Sequence, residues 1–326
     1  MAGFIGSSVA VNLSKSGHLV VGVDNFSDYY SPEFKKLRIA NLFANLNINV
    51  ISCDLGDRAS VKELFDCHEF DGVFHFAAQA GVRLTTEENF KYVSSNLLGF
   101  VNTISETTLH EVPTFLYASS SSVYGDFSKI PYKEDEVNLL PNSFYGATKL
   151  CNEIITPTII KNSSTVARGV RLFTVYGPWG RPDMAYFRIC ASAVSNVSFT
   201  LFGDGKIERD FTYIDDVVNC CINLSNELAN RNTGYSDIVN IGGGKPISIN
   251  SAIEKIMLIT NKKFDYEITS GNKNDVAKTT ADNTYLKSLI GEYIFTDFDT
   301  GIFQTVNWAK DDKIQDKLQT WIESVK

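Results

Sequence analysis

The chain has 326 residues, 44% hydrophobic and 21% charged, with a net charge of −8. That length allows one large or two moderate domains with real cores, and the acidic balance argues against a nucleic-acid surface as the main role. No apolar run approaches the ~18 residues that cross a bilayer. The six cysteines (Cys53, Cys67, Cys151, Cys190, Cys220, Cys221) form no CxxC pair, as expected of free thiols in a reducing compartment. The expectation is a cytoplasmic protein with no membrane segment, no nucleic-acid partner and no metal site.

The chain opens Met1-Ala2-Gly3-Phe4-Ile5-Gly6-Ser7-Ser8, followed by an apolar helical pattern through Val9 and Leu13 and a stop at Gly17. Residues 18–24 then read as a buried strand ending in Asp24. Glycines at a helix start, then helix, strand and acid, form the second half of a dinucleotide-binding βαβ unit. The glycines let backbone approach a pyrophosphate, the helix N-terminus favours its charge, and Asp24 holds a ribose diol, which favours NAD over NADP. A strand and one more glycine normally precede this loop, so the reading expects a start roughly ten residues short, with a central strand missing.

Strands and helices continue to alternate. Ser31 and Pro32 begin a helix to about residue 46; residues 49–55 are a strand ending at Asp54-Leu55; Asp57 caps the next helix. Residues 72–76 form a strand running into Ala77-Ala78-Gln79, and residues 87–109 a long helix. His75 sits in an apolar strand and reads as a core histidine. His18, His68 and His110 lie at element edges and form no metal-spaced set. The strand at 114–118 runs into Ser119-Ser120-Ser121-Ser122-Val123-Tyr124-Gly125, where ligands bind in an open α/β sheet.

Asn142-Ser143 then caps a helix that opens Tyr145-Gly146-Ala147-Thr148-Lys149. A tyrosine and a lysine four apart share one helical face, and a nearby ammonium lowers a phenol's pKa, so Tyr145 is suited to act as a base. Further on, the spacing predicts a helix over 187–195, a strand at 199–202, and helices capped by Asp215 (to about 228) and Ser248 (to about 260). Trp308 and Trp321 are expected to anchor one C-terminal helix.

Taken together, these motifs resemble the extended short-chain dehydrogenase/reductases of the nucleotide-sugar epimerase type. The resemblance rests on residues 2–7, Asp24, Asp54-Leu55, Ala77-Ala78-Gln79-Ala80, residues 120–125, Tyr145 with Lys149, and Arg209-Asp210-Phe211-Thr212-Tyr213-Ile214-Asp215-Asp216. Residues 79–83 and 175–185 are most similar to UDP-glucuronate 4-epimerases. The resemblance implies a Rossmann-type doubly wound parallel sheet. It divides the chain into an NAD-binding domain (1–174 plus about 212–242) and a nucleotide-sugar domain (about 175–211 plus 243–326).

The resemblance also implies the site. Tyr145 takes the proton of the sugar 4-hydroxyl while hydride leaves C4 for the nicotinamide, Lys149 supports the phenolate, and Ser120 hydrogen-bonds O4. Cofactor contacts fall on Gly3, Phe4, Ile5, Gly6, Asp24, Asn25, Asp54, Leu55, Ala77, Ala78, Gln79 and Asn96. Arg181 and Arg209 are expected on the diphosphate and Arg83 on an anion. Ser121, Ser122 and Thr174 suit a carboxylate that must not be lost from a 4-keto sugar, and Asp275 belongs to a closing substrate loop. Trp179 and Phe199 pack around the nucleotide or in the core. The product would feed polysaccharide biosynthesis, and a homodimer through the helices at 87–109 and 142–162 is usual for such folds. A 4,6-dehydratase would need a carboxylate pair where Ser121 and Ser122 stand. The remaining alternatives are a UDP-glucose or UDP-N-acetylhexosamine 4-epimerase, a decarboxylase, and an inactive NAD-binding homologue.

Overall fold

A computed structural model describes residues 1–81, 88–195, 197–271 and 276–325. The first half alternates as expected: α1 (Phe4–Lys15), β1 (Val20–Asp24), α2 (Pro32–Leu42), β2 (Ile48–Ser52), α3 (Arg58–Asp66) and β3 (Gly72–His75). After it come α4 (Asn89–Tyr92), a π-helical segment (Val93–Leu98), α5 (Gly99–Leu109), β4 (Thr114–Ser120) and α6 (Phe144–Ile160). The second half holds β5 (Val166–Leu172), β6 (Thr174–Tyr176), α7 (Ala185–Ser195), β7 (Phe199–Phe202), β8 (Glu208–Tyr213), α8 (Ile214–Leu228), β9 (Ser236–Ile241) and β10 (Pro246–Ser248). It closes with α9 (Ile249–Thr260), β11 (Tyr266–Thr269), α10 (Thr284–Ile290), α11 (Phe298–Ala309), α12 (Asp312–Gln315) and α13 (Leu318–Glu323).

Side-chain caps set several of these starts. Ser31 accepts from Phe34 N with Pro32 at the first helical position, Asp57 accepts from Ala59 N, Ser143 from Gly146 N and Ser248 from Ser251 N. Asp215 does not cap α8: the N-cap is Tyr213 without a side-chain bond, and Asp215 sits in the first turn. The strand β8 runs directly into that helix and leaves no loop for an Asx cap.

The parallel sheet comes in two hydrogen-bonded pieces, β1–β2 and β3–β4–β5–β9. No ladder joins β1 to β3 among the described residues, which is where the sequence reading expects a further strand. The Met1 ammonium bonds Val23 O on β1, and its charge is felt by His75 on β3. Every residue of β4 and β5 is buried, as in a strand covered on both faces. α8 packs on α1, β4 and β5, while α3, α5 and α6 form a second group whose α6 also reaches β4 and β5. Helices thus cover the sheet from two sides, the doubly wound arrangement.

The main core extends from the sheet into the C-terminal half. Phe34 of α2 stacks on Trp321 at 4.1 Å between ring centroids and on Trp179 at 6.0 Å. The two tryptophans expected on one terminal helix lie on two: Trp308 on α11 and Trp321 on α13. Trp179 is a core residue.

Candidate active site

The carboxyl ends of the strands open onto a cleft of ≈ 750 Å³ that runs between the two halves of the chain. Tyr145 enters it from the first turn of α6. That turn lies against the 3-10 turn Ser121–Val123: a Cβ on Gly146 would come within 2.5 Å of Ser122 O, so only glycine allows the approach. Ser120, at the end of β4, lines the cleft with Tyr145, favours its phenolate, and donates to Ser122 Oγ at 3.1 Å. Lys149, 1% exposed, donates to Ala118 O at 2.8 Å, and its Nζ lies 5.9 Å from the Tyr145 ring centre.

Electrostatics in this trio differ from the sequence expectation. Burial raises the Tyr145 phenol above its ordinary pKa, and the groups that oppose this are Arg181 and the Ser120 hydroxyl, with Lys149 not among them. Burial also lowers Lys149, to about 8. The Lys149 ammonium donates to the Ala118 carbonyl and lies over the Tyr145 ring, while the Arg181 charge favours the phenolate. Arg181 is expected on a diphosphate; here it couples to Tyr145, and it forks onto Asp183 at 3.0 and 2.6 Å. Tyr29 also donates to Asp183, at 3.3 Å.

At the other end of the cleft, Gly3, Phe4, Ile5 and Gly6 line the wall where α1 begins. Its N-cap, Gly3, offers no side-chain acceptor, so the first-turn N–H groups face the cleft, an anion-binding arrangement. Asp24 stands beside them with Asn25, Asp54 and Leu55. Burial works against the Asp24 carboxylate, but the Met1 ammonium at 3.3 Å and Lys35 at 3.9 Å hold it below the usual range. Ala77, Ala78 and Gln79 complete this wall.

Asn96 is not on the wall. Its side chain is 1% exposed; it accepts from Gln79 N at 2.8 Å and donates to Gln79 O and to Thr148 Oγ1. It therefore fixes the loop after β3 to α6, and Ser95 lines the cleft instead. Ser121, Ser122, Thr174 and Arg209 all line the cleft. Arg209 donates to the carbonyls of Glu208 and Val276 at 3.0 and 2.7 Å, while Glu208 pairs with Lys278 and Asp210 accepts from Gly244 N and Ala281 N. Arg83 and Asp275 lie outside the described residues.

Sequence reasoning missed Tyr29, Lys35, Asp183 and Arg188, all of which line the cleft. The Pro182-Asp183-Met184 stretch that follows Arg181 was a visible signal for Asp183; Lys35 and Arg188 sit inside helices and give none.

The NAD dependent epimerase/dehydratase family matches residues 1–242. The chain belongs to this family. The epimerase/dehydratase chain is 38% identical to a UDP-glucuronate 4-epimerase of Thermodesulfobacterium geofontis over 95% of its own length and 94% of the relative's. It is also 38% identical to UDP-glucuronate 4-epimerase 1 of Arabidopsis thaliana, over 94% of this chain and 74% of that one. Among solved structures, UDP-glucuronic acid 4-epimerase from Bacillus cereus, in complex with UDP-glucuronic acid and NAD, superposes with a TM-score of 0.86 at 30% identity, covering 95% of this chain and 96% of that one. The family's NAD fits what this epimerase/dehydratase chain presents: an uncapped helix N-terminus, an ionised Asp24 on the same wall, and the buried cation of Lys149 beyond.

Proposed function

We propose that the protein interconverts UDP-glucuronate and UDP-galacturonate by oxidation and re-reduction at C4 of the sugar, with no net redox. NAD, when bound, supplies the reversible hydride exchange with C4. Tyr145 accepts the proton of the 4-hydroxyl and returns it, and Ser120, on the same wall of the cleft, orients O4. Burial holds the phenol above its ordinary pKa, and the Arg181 charge offsets part of that rise, easing transfer of the proton to and from O4. Lys149 keeps a cation under the site and ties α6 to the end of β4 through Ala118 O.

One observation carries the choice of sugar: hydroxyls at Ser121, Ser122 and Thr174 line the same cleft as Tyr145 and Arg181, with no carboxylate directly after Ser120. Neutral donors bind a carboxylate without protonating the 4-keto sugar toward decarboxylation, and an acid–base pair for dehydration has no place there. Arg209, with Phe199 and Ile249 nearby on the wall, serves the nucleotide end.

The packing of α8 on α1 supports the division proposed from sequence, with about 212–242 returning to the cofactor-binding part. Free cysteines and the absence, among the described residues, of a helix able to cross a membrane are consistent with a cytoplasmic enzyme. Exposed Leu109 and Ile154 on α5 and α6 support a homodimer through these helices.

The test is incubation with UDP-glucuronate, UDP-glucose and UDP-N-acetylglucosamine, with products separated by chromatography. UDP-galacturonate is expected as the dominant product. Equal or faster turnover of the neutral sugars would overturn the assignment.

A further inference from the structure

Arg38, in the middle of α2, is fully buried. It donates four hydrogen bonds: Nη1 to Ala2 O and to Tyr30 Oη, Nε to Trp179 O, and Nη2 to Gly180 O, at 2.6, 3.1, 2.9 and 3.2 Å. Its guanidinium also lies 4.5 Å from the centre of the Phe34 ring. All four acceptors are neutral. A buried cation held only by carbonyls and a phenol is a poor way to gain stability, because desolvation of the charge is repaid incompletely. Its value must lie in what the fork joins.

Three of the acceptors adjoin two separate stretches that line the cleft, the start of α1 and the segment from Arg181. Ala2 immediately precedes the Gly3 N-cap of α1. Trp179 and Gly180 immediately precede Arg181, which lines the cleft with Tyr145. The 179–180 turn is closed by a backbone bond from Gly180 N to Gly177 O at 3.3 Å and carries strain. Trp179 has a φ of 63°, in the left-handed region that a bulky residue rarely occupies, and a Cβ on Gly180 would come within 1.7 Å of Tyr186 Oη. A planar fork with donors at fixed angles can hold three carbonyls at set separations, which a lysine cannot.

We propose that Arg38 is a positioning residue of this active site: it holds the cofactor-binding start of α1 and the turn bearing Arg181 at a fixed spacing, so that Arg181 keeps its place on the cleft it lines with Tyr145. The proposal rests on the epimerase reading for its catalytic consequence but not for the spacing itself.

The experiment compares the full-length protein with Arg38→Met and Arg38→Lys. Circular dichroism and thermal melting establish folding. NAD affinity by titration, kcat and KM for the UDP-sugar, and the pH dependence of kcat are then measured. Arg38→Met is expected to fold, to bind NAD several-fold more weakly, and to lose about 10- to 100-fold in kcat with little change in KM, as for a misplaced catalytic group. Its acid limb should move to higher pH, because Arg181 no longer offsets the burial of Tyr145. Arg38→Lys should fold as the parent does and show the same acid-limb displacement. Should Arg38→Met fail to fold, the lysine variant carries the test alone.

An acid limb, kcat and NAD affinity within about twofold of the parent in a folded variant would overturn the proposal. So would a kcat loss with an unmoved acid limb, which marks a merely structural role. If the parent turns over no UDP-sugar, the epimerase reading fails. The spacing is then still judged by NAD affinity and by spectroscopic titration of the Tyr145 phenol, compared with Tyr145→Phe as the blank.

Discussion

Lys149 shows how a single residue can carry function at the expense of stability. Its ammonium is buried, donates to one carbonyl, and is pushed down to about 8 by burial alone. Between about 8 and the ordinary lysine value near 10.5, the native state binds fewer protons than the unfolded chain, so stability rises with pH through that window. Below pH 8 the buried charge costs roughly 3 kcal/mol, from the size of the shift. Lys149→Met is therefore expected to unfold at a denaturant midpoint equal to or higher than the parent at pH 7, while kcat falls by roughly 10²- to 10⁴-fold. A clear loss of stability with activity kept would contradict both halves. His75 follows the same rule: burial lowers it to about 3, so it is neutral in the core, as its apolar strand suggested.

At the scale of elements, the sequence predicts one helix over 87–109, and the chain instead forms α4, a π-helical segment and α5. One extra residue in a turn barely changes hydrophobic periodicity, so the π segment is not visible in the pattern. Its effect is specific: it turns Asn96 inward to pair both backbone groups of Gln79 and to reach Thr148 on α6. Asn96→Ala leaves those groups without their partner and is expected to cost about 1–3 kcal/mol, read by denaturant unfolding. NAD binding should weaken as the loop after β3 loosens, and unchanged stability would show that water replaces the amide without loss. β5 was likewise missed. Arg168 and Arg171 interrupt its apolar run, and only in the fold do they meet Asp237 with Glu227, and Glu153, as buried pairs. Four capped helices were legible, since Ser31, Asp57, Ser143 and Ser248 act on N–H groups two or three residues away.

For the whole molecule, the expected homodimer gives the decisive measurement. Leu109 and Ile154 are 67% and 62% exposed, on two helices that pack against one another. Light scattering at micromolar concentration should give twice the chain mass, and Ile154→Glu should shift the equilibrium to monomer with the fold intact. A monomeric parent would remove the basis for this interface.

Sequence alone determined the alternation of strands and helices through the first half of the chain, the wall of α1 with Asp24, and the shared helical face of Tyr145 and Lys149. These depend on local spacing: caps and the helical and strand repeats operate within a few residues. Only the tertiary structure decided which charge governs Tyr145 and what Asn96 and Arg38 hold. Burial and the approach of residues 36 or 141 positions apart set those, and such distances leave no trace in a local pattern. The tyrosine and lysine face was correctly read from their spacing. That Arg181 opposes the burial of the phenol is a property of the folded cleft.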